Sequence, residues 1–185
     1  MSDRAIFLDR DGTVNEEVGY LSRPEDLRLI NGAAAALQSL RKAGFKLIIV
    51  TNQSGAARGF FNEDDIAAVN KRLIELLDNE DVKLDAVYYC PHLDCHCRKP
   101  NTGMVERARR EHGIDPSRSY VIGDKATDMK LAHNAGAAGI MVMTGFGAGE
   151  RASVEGADYA PVCYAADITR AAEWIIEREN NLSCD

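Results

Sequence analysis

The sequence predicts an α/β protein, a Rossmann-like three-layer sandwich with a mostly parallel central sheet. Short apolar runs that end in polar residues alternate with helix-like segments along the chain. This alternation is typical of parallel sheets that are covered by helices on both faces. Turn-forming residues are spread evenly and do not gather at one boundary. We therefore expect a single domain spanning residues 1–185, a length that suits one domain.

The predicted strands are short and apolar, and the predicted helices lie between them. We expect strands at 5–9, 46–51, 85–90, 119–123 and 139–143, with a weaker candidate at 157–162. The expected helices occupy 33–43, 63–77, 105–112, 126–135 and 167–178. Asn62 is a suitable N-cap for the second helix, while Gly44 and Gly113 suit the ends of the first and third.

The composition limits the class of protein. Hydrophobic residues make up 45% of the chain and charged residues 28%, which is near the globular average. No apolar run approaches the roughly 20 residues that a membrane span needs. The net charge of −7 disfavours binding along a nucleic-acid backbone, which requires a stripe of Lys and Arg. We expect a cytoplasmic monomer that binds neither nucleic acid nor membrane.

Polar residues stand at or just past the ends of four separate predicted strands. These residues are Asp9, Thr51, Cys90 and Asp124. Ligands of open parallel sheets bind outside the carboxyl ends of the strands. The four positions are therefore expected to converge on one rim.

The first two of these strand ends carry groups suited to phosphate chemistry. Residues 7–13 read Phe-Leu-Asp-Arg-Asp-Gly-Thr, and residues 51–55 read Thr-Asn-Gln-Ser-Gly. Ordinary turns would explain either segment alone. A carboxylate can, however, attack phosphorus beside a divalent cation while a second carboxyl protonates the leaving oxygen. The hydroxyl and amide groups of the second segment could cradle phosphate oxygens.

Two further segments supply cations and a second pair of acids. Arg98 and Lys99 are adjacent, and Asp124 and Asp128 lie one helical turn apart at a strand-to-helix junction. Taken alone, surface charge would explain the first pair, and helix capping would explain the second. Together and in this order, the four segments resemble the motifs of the haloacid dehalogenase superfamily of phosphotransferases.

The resemblance implies a role for each motif residue. Asp9 would be the nucleophile, and Asp11 the general acid that later acts as the base. Thr51 and Lys99 would hold the transferring phosphoryl group. Catalytic Mg²⁺ would contact the Asp9 carboxylate, the Asp11 backbone carbonyl and Asp124. Asp128 would support Asp124 or Lys99 from outside the metal's ligand shell.

Three of the five cysteines fall between positions 90 and 97, together with two histidines. Zinc prefers four such ligands in a tetrahedron, and residues separated by one position share a side of an extended backbone. We therefore expect a short loop that binds structural Zn²⁺ through Cys90, His92, Cys95 and Cys97, with His96 pointing away. Redox pairing of the thiols is a lesser alternative.

The two remaining cysteines, Cys163 and Cys184, stand apart in the sequence. We expect no special role for either of them.

Within the superfamily, the chain resembles the bacterial heptose 1,7-bisphosphate 7-phosphatases and the related histidinol-phosphate phosphatases. The segments that carry this resemblance are 8–15, 19–20, 51–55, 57–59, 90–92, 97–100 and 123–125. It implies removal of the 7-phosphate of D-glycero-D-manno-heptose 1,7-bisphosphate during lipopolysaccharide precursor synthesis. The alternatives are a histidinol-phosphate phosphatase and a zinc-stabilised binding protein without activity. The short spacing between the two zinc-ligand pairs departs from many relatives and leaves substrate preference open.

The chain leaves no room for a large cap domain. Only 40 positions separate Asp11 from Thr51, and 48 separate Thr51 from Lys99, and predicted helices and strands use most of both intervals. Loops must therefore form the pocket for a small phosphorylated sugar. The expected substrate contacts are Gly19, Tyr20, Asn52, Gln53, Ser54, Arg58, Arg98 and Lys125, with Arg98 reading the part of the substrate that is not cleaved.

Overall fold

The structure is a computed structural model that describes residues 3–182. Its strands are β1 (Ala5–Leu8), β2 (Lys46–Asn52), β3 (Ala86–Cys90), β4 (Tyr120–Gly123), β5 (Ala138–Val142) and β6 (Cys163–Ala165). They form one sheet in the order β3-β2-β1-β4-β5-β6, and every neighbouring pair is parallel. The prediction of a parallel α/β sheet is confirmed.

Five α-helices connect these strands, and a sixth follows β6 within residues 3–182. They are α1 (Ala33–Lys42), α2 (Glu63–Asp78), α3 (Gly103–His112), α4 (Ala126–Ala135), α5 (Gly147–Val154) and α6 (Ile168–Leu182). Two short 3-10 helices lie at Pro24–Asp26 and Pro116–Arg118. Asn62 caps α2 as expected, since its side chain accepts a hydrogen bond from the backbone N–H of Asp65.

Alternation along the strands builds the three layers. Successive side chains of a strand point to opposite faces of the sheet. In β1, Ile6 and Leu8 pack in a core with α1, α2 and α6. Ala5 and Phe7 pack in a second core with α3 and α4. The sheet is therefore buried on both faces, so a ligand site on it is expected at the ends of its strands.

The structure corrects the last predicted strand. The expected strand at 157–162 is not formed, and β6 begins at Cys163 instead. Pro161 has no backbone N–H to donate to a ladder, so regular pairing begins only after it. The amide of Val162 makes the first contact, with the carbonyl of Gly139 at 2.8 Å.

Helix α5 was not predicted because its sequence, Gly-Ala-Gly-Glu-Arg-Ala-Ser-Val, contains two glycines, which disfavour helix. Packing accounts for the first of them. A Cβ on Gly147 would lie 1.8 Å from the carbonyl oxygen of Val142, so this close approach of α5 to β5 requires glycine.

No helix within residues 3–182 is long and apolar enough to cross a membrane.

Candidate active site

A cavity of about 300 Å³ lies at the carboxyl ends of the central strands. The predicted residues that line it are Asp9, Asp11, Gly19, Tyr20, Thr51, Asn52, Gln53, Ser54, Lys99 and Lys125. Asp124 lies fully buried beneath it. Two predicted contacts, Arg58 and Arg98, are not among the lining residues.

Asp9 stands at the floor of the cavity, one residue beyond β1. Its backbone N–H donates to the carbonyl of Ile122 at 2.9 Å, which extends the pairing of β1 with β4. The ammonium of Lys99 donates to Oδ1 of Asp9 at 2.8 Å and to Oδ1 of Asp128 at 2.7 Å. Lys99 is only 3% exposed, and the two carboxylates hold its ammonium at the wall of the cavity.

The position of Lys99 is fixed by Asn52 at the end of β2. The Asn52 side chain donates to the Lys99 carbonyl at 3.1 Å and accepts from the Lys99 N–H at 3.0 Å. This reciprocal pair works as a strand-like contact between β2 and the loop that carries Lys99. Asn52 therefore helps to place the cation as well as lining the cavity.

The local charges favour the ionised form of the nucleophile. Burial opposes ionisation of Asp9, but Lys99 and Lys125 outweigh it, so the pKa of Asp9 lies below its ordinary value. Burial likewise disfavours the charge on Lys99, and Asp128 and Asp9 reverse this, so the pKa of Lys99 is raised. At neutral pH the site therefore presents a carboxylate beside an ammonium.

Asp124 has the environment of a metal ligand. Its Oδ2 accepts a hydrogen bond from the backbone N–H of Phe146 at 2.8 Å. Its Oδ1 is buried and has no hydrogen-bond partner within residues 3–182. Burial and the charge of Asp9 raise the pKa of Asp124 to about 7. A buried carboxylate oxygen without a donor is costly unless a cation meets it.

The excess of carboxylates over cations around the cavity also favours a bound cation. One oxygen each of Asp9, Asp124 and Asp128 lies within 4.8 Å of the others. Burial raises the pKa of Asp128 to about 6, because the contact with Lys99 offsets the effect of burial only in part. In and directly beneath the cavity, carboxylates outnumber cations: Asp9, Asp11, Glu17, Asp124 and Asp128 face Arg10, Lys99 and Lys125. The donor set fits a hard divalent cation such as Mg²⁺.

Asp11 is held by donors on both carboxylate oxygens. Arg10 donates from Nε to Oδ1 at 3.2 Å and from Nη2 to Oδ2 at 2.9 Å. Asn15 donates to Oδ1 at 3.0 Å, and Gln53 donates to Oδ2 at 2.9 Å. The Gln53 amide also lies 2.9 Å from the hydroxyl of Thr51. The carboxyl of Asp11 is thus fixed in direction and connected to the β2 end of the site.

Aromatic side chains surround the mouth of the cavity. The rings of Tyr20 and Phe60 pack at a tilt of 47° with their centroids 4.4 Å apart, and both residues are at least half exposed. On the other side, the Lys125 ammonium lies 4.4 Å from the centroid of Phe146 and 3.3 Å from Oε2 of Glu17. The entrance is open and partly apolar, as expected where loops alone form the pocket.

Three of the four predicted zinc ligands come together. The sulfurs of Cys90 and Cys95 lie 3.1 Å apart, and Cys97 lies 2.9 Å from Cys90 and 2.8 Å from Cys95. A hydrogen bond from Cys97 lowers the pKa of the Cys95 thiol, while burial raises that of Cys90. Three converging thiols fit zinc, and none of the cysteines within residues 3–182 forms a disulfide.

The two histidines of this loop lie outside the group of three sulfurs. Among the described residues, His92 is not in the group of ligand atoms that lie within 4.8 Å of one another. Its carbonyl instead accepts a hydrogen bond from Arg98 at 3.1 Å. His96 contacts Glu106 at 3.1 Å. Cys163 lies apart in β6, and Cys184 lies outside the described residues.

Several residues of the site were not predicted. Glu17, Phe61, Thr127 and Phe146 also line the cavity, next to Gly55 of the predicted 51–55 segment. Phe146 follows the end of β5, so the strand-end rule applied to that strand could have found it. Gly12 and Gly145 crowd Asp124 so closely that a Cβ on either would lie 2.2 Å from its Oδ2. Such long-range packing leaves no local signal in the sequence.

Comparisons with known proteins agree with this geometry. A family model described as HAD-hydrolase-like matches residues 96–171. A relative from Thermosynechococcus vestitus, named D-glycero-D-manno-heptose-1,7-bisphosphate 7-phosphatase, is 46% identical over 187 residues, which cover 92% of this chain and 94% of the relative. A relative from Escherichia coli K12, named D-glycero-beta-D-manno-heptose-1,7-bisphosphate 7-phosphatase, is 44% identical over 138 residues, 69% of this chain and 72% of its own.

A solved structure shares the fold over nearly the whole chain. It is the D,D-heptose 1,7-bisphosphate phosphatase from B. bronchiseptica complexed with magnesium and phosphate. The TM-score is 0.87 at 30% identity, with 95% of this chain and 99% of that chain covered. With cavity, motifs and whole-chain similarity in agreement, the chain belongs to the D-glycero-D-manno-heptose-1,7-bisphosphate 7-phosphatase family of HAD-like hydrolases.

Proposed function

We propose that this protein is a single-domain, cytoplasmic, monomeric phosphatase that removes the 7-phosphate of D-glycero-D-manno-heptose 1,7-bisphosphate. The observation that carries the chemistry is the buried contact of Asp9 with Lys99 at the floor of an open cavity. A carboxylate nucleophile next to a fixed ammonium suits attack on a phosphoryl group, because the cation offsets the developing negative charge.

The placement of the two motif carboxyls supports the following reaction. An oxygen of Asp9 attacks phosphorus, forming a phosphorus–oxygen bond while the bond to the sugar oxygen breaks. Asp11 gives its proton to that leaving oxygen. Water then attacks the aspartyl phosphate, Asp11 accepts the proton of the water, and inorganic phosphate leaves with Asp9 restored. The hydroxyl of Thr51 and the ammonium of Lys99 orient the phosphoryl oxygens during both steps.

Mg²⁺ fits the donor set, with Asp9 and Asp124 offering carboxylate oxygens and Asp11 a backbone carbonyl. When bound, it neutralises charge between the nucleophile and the phosphate. The chain's own contribution is to keep Oδ1 of Asp124 free of other donors. Asp128 contacts Lys99, which supports its role outside the ligand shell.

The substrate is supported by the names of the relatives and by the size of the cavity. A cavity of about 300 Å³ is at the lower end of ligand pockets and suits a sugar phosphate. Lys125, Ser54 and the Gly19–Tyr20 loop line it and would contact the sugar. Arg58, which is exposed, and Arg98, whose side chain donates to the carbonyl of His92, would meet the remaining phosphate outside the cavity.

Structural Zn²⁺ in the cysteine loop is also part of the proposal. Cys90, Cys95 and Cys97 would hold it with His92 as the fourth ligand. The zinc would fix the loop that carries Arg98 and Lys99. Unpaired thiols in this group suit a reducing compartment.

A comparison of substrates tests the proposed function. Steady-state kcat/KM would be measured for the α and β anomers of the heptose bisphosphate, fructose 1,6-bisphosphate and histidinol phosphate. We expect kcat/KM for one heptose anomer to exceed the values for fructose 1,6-bisphosphate and histidinol phosphate by at least about 100-fold. Only the 7-phosphate should be released. Equal or faster hydrolysis of histidinol phosphate would contradict the assignment.

A further inference from the structure

Arg10 is a buried cation that the proposed reaction does not yet use. Arg10 is 0% exposed, and its side chain is the largest of the fully buried side chains within residues 3–182. A guanidinium without solvent is costly unless its donors are met by well-placed acceptors. The sequence does not indicate this burial. Arg10 stands between Asp9 and Asp11, and the motif assigns catalytic roles to those two acids alone.

The acceptors that meet Arg10 are few and specific. One side of its guanidinium contacts both carboxylate oxygens of Asp11, at 3.1 and 2.9 Å from Nη2. The other side donates from Nη1 to Oδ1 of Asn70 at 2.9 Å. Adjacent residues of an extended chain point apart, but the turn in which the amides of Val14 and Asn15 donate to the Arg10 carbonyl brings these neighbours together.

Asn70 lies in an unusual place for a polar residue. It is on α2 among the buried positions Ile66, Val69 and Leu73, and it is only 7% exposed. A buried amide needs a partner, and the amide oxygen of Asn70 accepts a hydrogen bond from Arg10. The helix therefore provides an anchor for the guanidinium, and through it for Asp11.

We infer that Arg10 is a positioning residue for Asp11, and that Asn70 anchors Arg10 to α2. The planar guanidinium grips both oxygens of Asp11 and fixes the direction from which the carboxyl meets the leaving oxygen. This inference rests on the proposed function, in which Asp11 gives the proton. Proton delivery depends steeply on geometry, since the donor must come within hydrogen-bond reach of the leaving oxygen.

The test uses the dependence of the rate on the leaving group. A sugar alkoxide leaves slowly without a proton, whereas a dinitrophenolate needs little help. We would measure kcat/KM, which reports the first chemical step, for the heptose bisphosphate and for 2,4-dinitrophenyl phosphate. In Arg10→Lys, which keeps the charge but loses the two-oxygen grip, we expect a loss of about 100-fold for the sugar ester and less than about threefold for the aryl ester.

Asn70→Ala leaves Arg10 in place without its anchor, and we expect the same pattern with a loss of about tenfold for the sugar ester. This variant decides the question if Arg10→Lys does not fold. Arg41→Lys is the matched control, because Arg41 also pairs with an aspartate, Asp85 at 2.8 Å, and neither residue lines the cavity. It should change neither rate.

Equal losses for the two esters, or no loss for either, would overturn the role of Arg10. The variant Asp11→Asn distinguishes a failure of the positioning role of Arg10 from a failure of the proposed function. If Asp11→Asn lowers only the sugar-ester rate while the Arg10 and Asn70 variants lower both equally, the proposed function stands and the positioning role fails. If Asp11→Asn spares the sugar ester, the proposed function itself fails, and the inference fails with it.

Discussion

The ammonium of Lys99 lies 2.8 Å from Oδ1 of Asp9, although 90 positions separate the two residues in sequence. Three elements produce this contact: β1 ends at the cavity floor, Asn52 at the end of β2 holds the backbone of Lys99, and Asp128 in α4 accepts the second hydrogen bond. The pair is therefore a product of the parallel sheet and of no local motif.

Replacing Lys99 should impair every substrate alike. In Lys99→Ala, we expect kcat to fall at least about 100-fold for sugar and aryl phosphates, because the cation acts on the phosphoryl group that all share. Removing one partner from a buried ion pair also costs about 3 kcal/mol of folding stability, which urea unfolding would measure. Lys42→Ala, at an exposed site, is the control. Unchanged kcat in folded Lys99→Ala would refute this role.

Arg98 should affect recognition and leave the chemical step intact. In Arg98→Ala, we expect KM for the bisphosphate to rise about tenfold, which corresponds to one lost charge-assisted hydrogen bond, while kcat stays within about twofold. KM for a simple aryl phosphate should not change. A fall in kcat with an unchanged KM would place Arg98 among the reacting groups and contradict the assignment.

Space around Asp124 should control the affinity for Mg²⁺. Gly145 has φ of +55°, and a Cβ there would lie 2.2 Å from Oδ2 of Asp124, so Gly145→Ala must displace the carboxylate or strain the loop. We expect the Mg²⁺ concentration for half-maximal activity to rise at least about tenfold. Gly149→Ala, which meets no atom within 4 Å, is the matched control and should behave like the wild type. An unaltered Mg²⁺ response in Gly145→Ala would argue against Asp124 as a ligand.

The cysteine loop should contain one zinc ion per chain. Elemental analysis of the purified protein should find it, and Cys95→Ser should lose most of it, because that variant removes one of three converging sulfurs. Cys163→Ser, at a cysteine outside the group of three sulfurs, should retain the metal. Protein that is fully active and contains no zinc would exclude the structural role. Removing Mg²⁺, in contrast, should stop turnover and leave the zinc in place.

The parts of the site that could be predicted from the sequence are those tied to strand ends. Asp9 and Thr51 directly follow apolar runs, and parallel topology alone brings such positions to one rim. The contact of Arg10 with Asn70 spans 60 positions and depends on how α2 packs, which no spacing rule encodes. Helix α5 was missed for a related reason, since Gly147 is required by its close packing against β5, whereas helix propensity alone disfavours glycine there.

The most direct test of the account is to identify the residue that carries the phosphoryl group during turnover. Enzyme quenched with substrate bound would be treated with borohydride, which reduces an aspartyl phosphate to homoserine, and position 9 would be read by peptide mass spectrometry. Asp9 is the expected site for two reasons. It lies at the floor of the cavity, and Lys99 and Lys125 lower its pKa although burial alone would raise it. The account predicts homoserine at position 9 in the wild type and none in Asp9→Asn, which should be inactive. Label on another residue, or turnover by Asp9→Asn at a rate near that of the wild type, would contradict it.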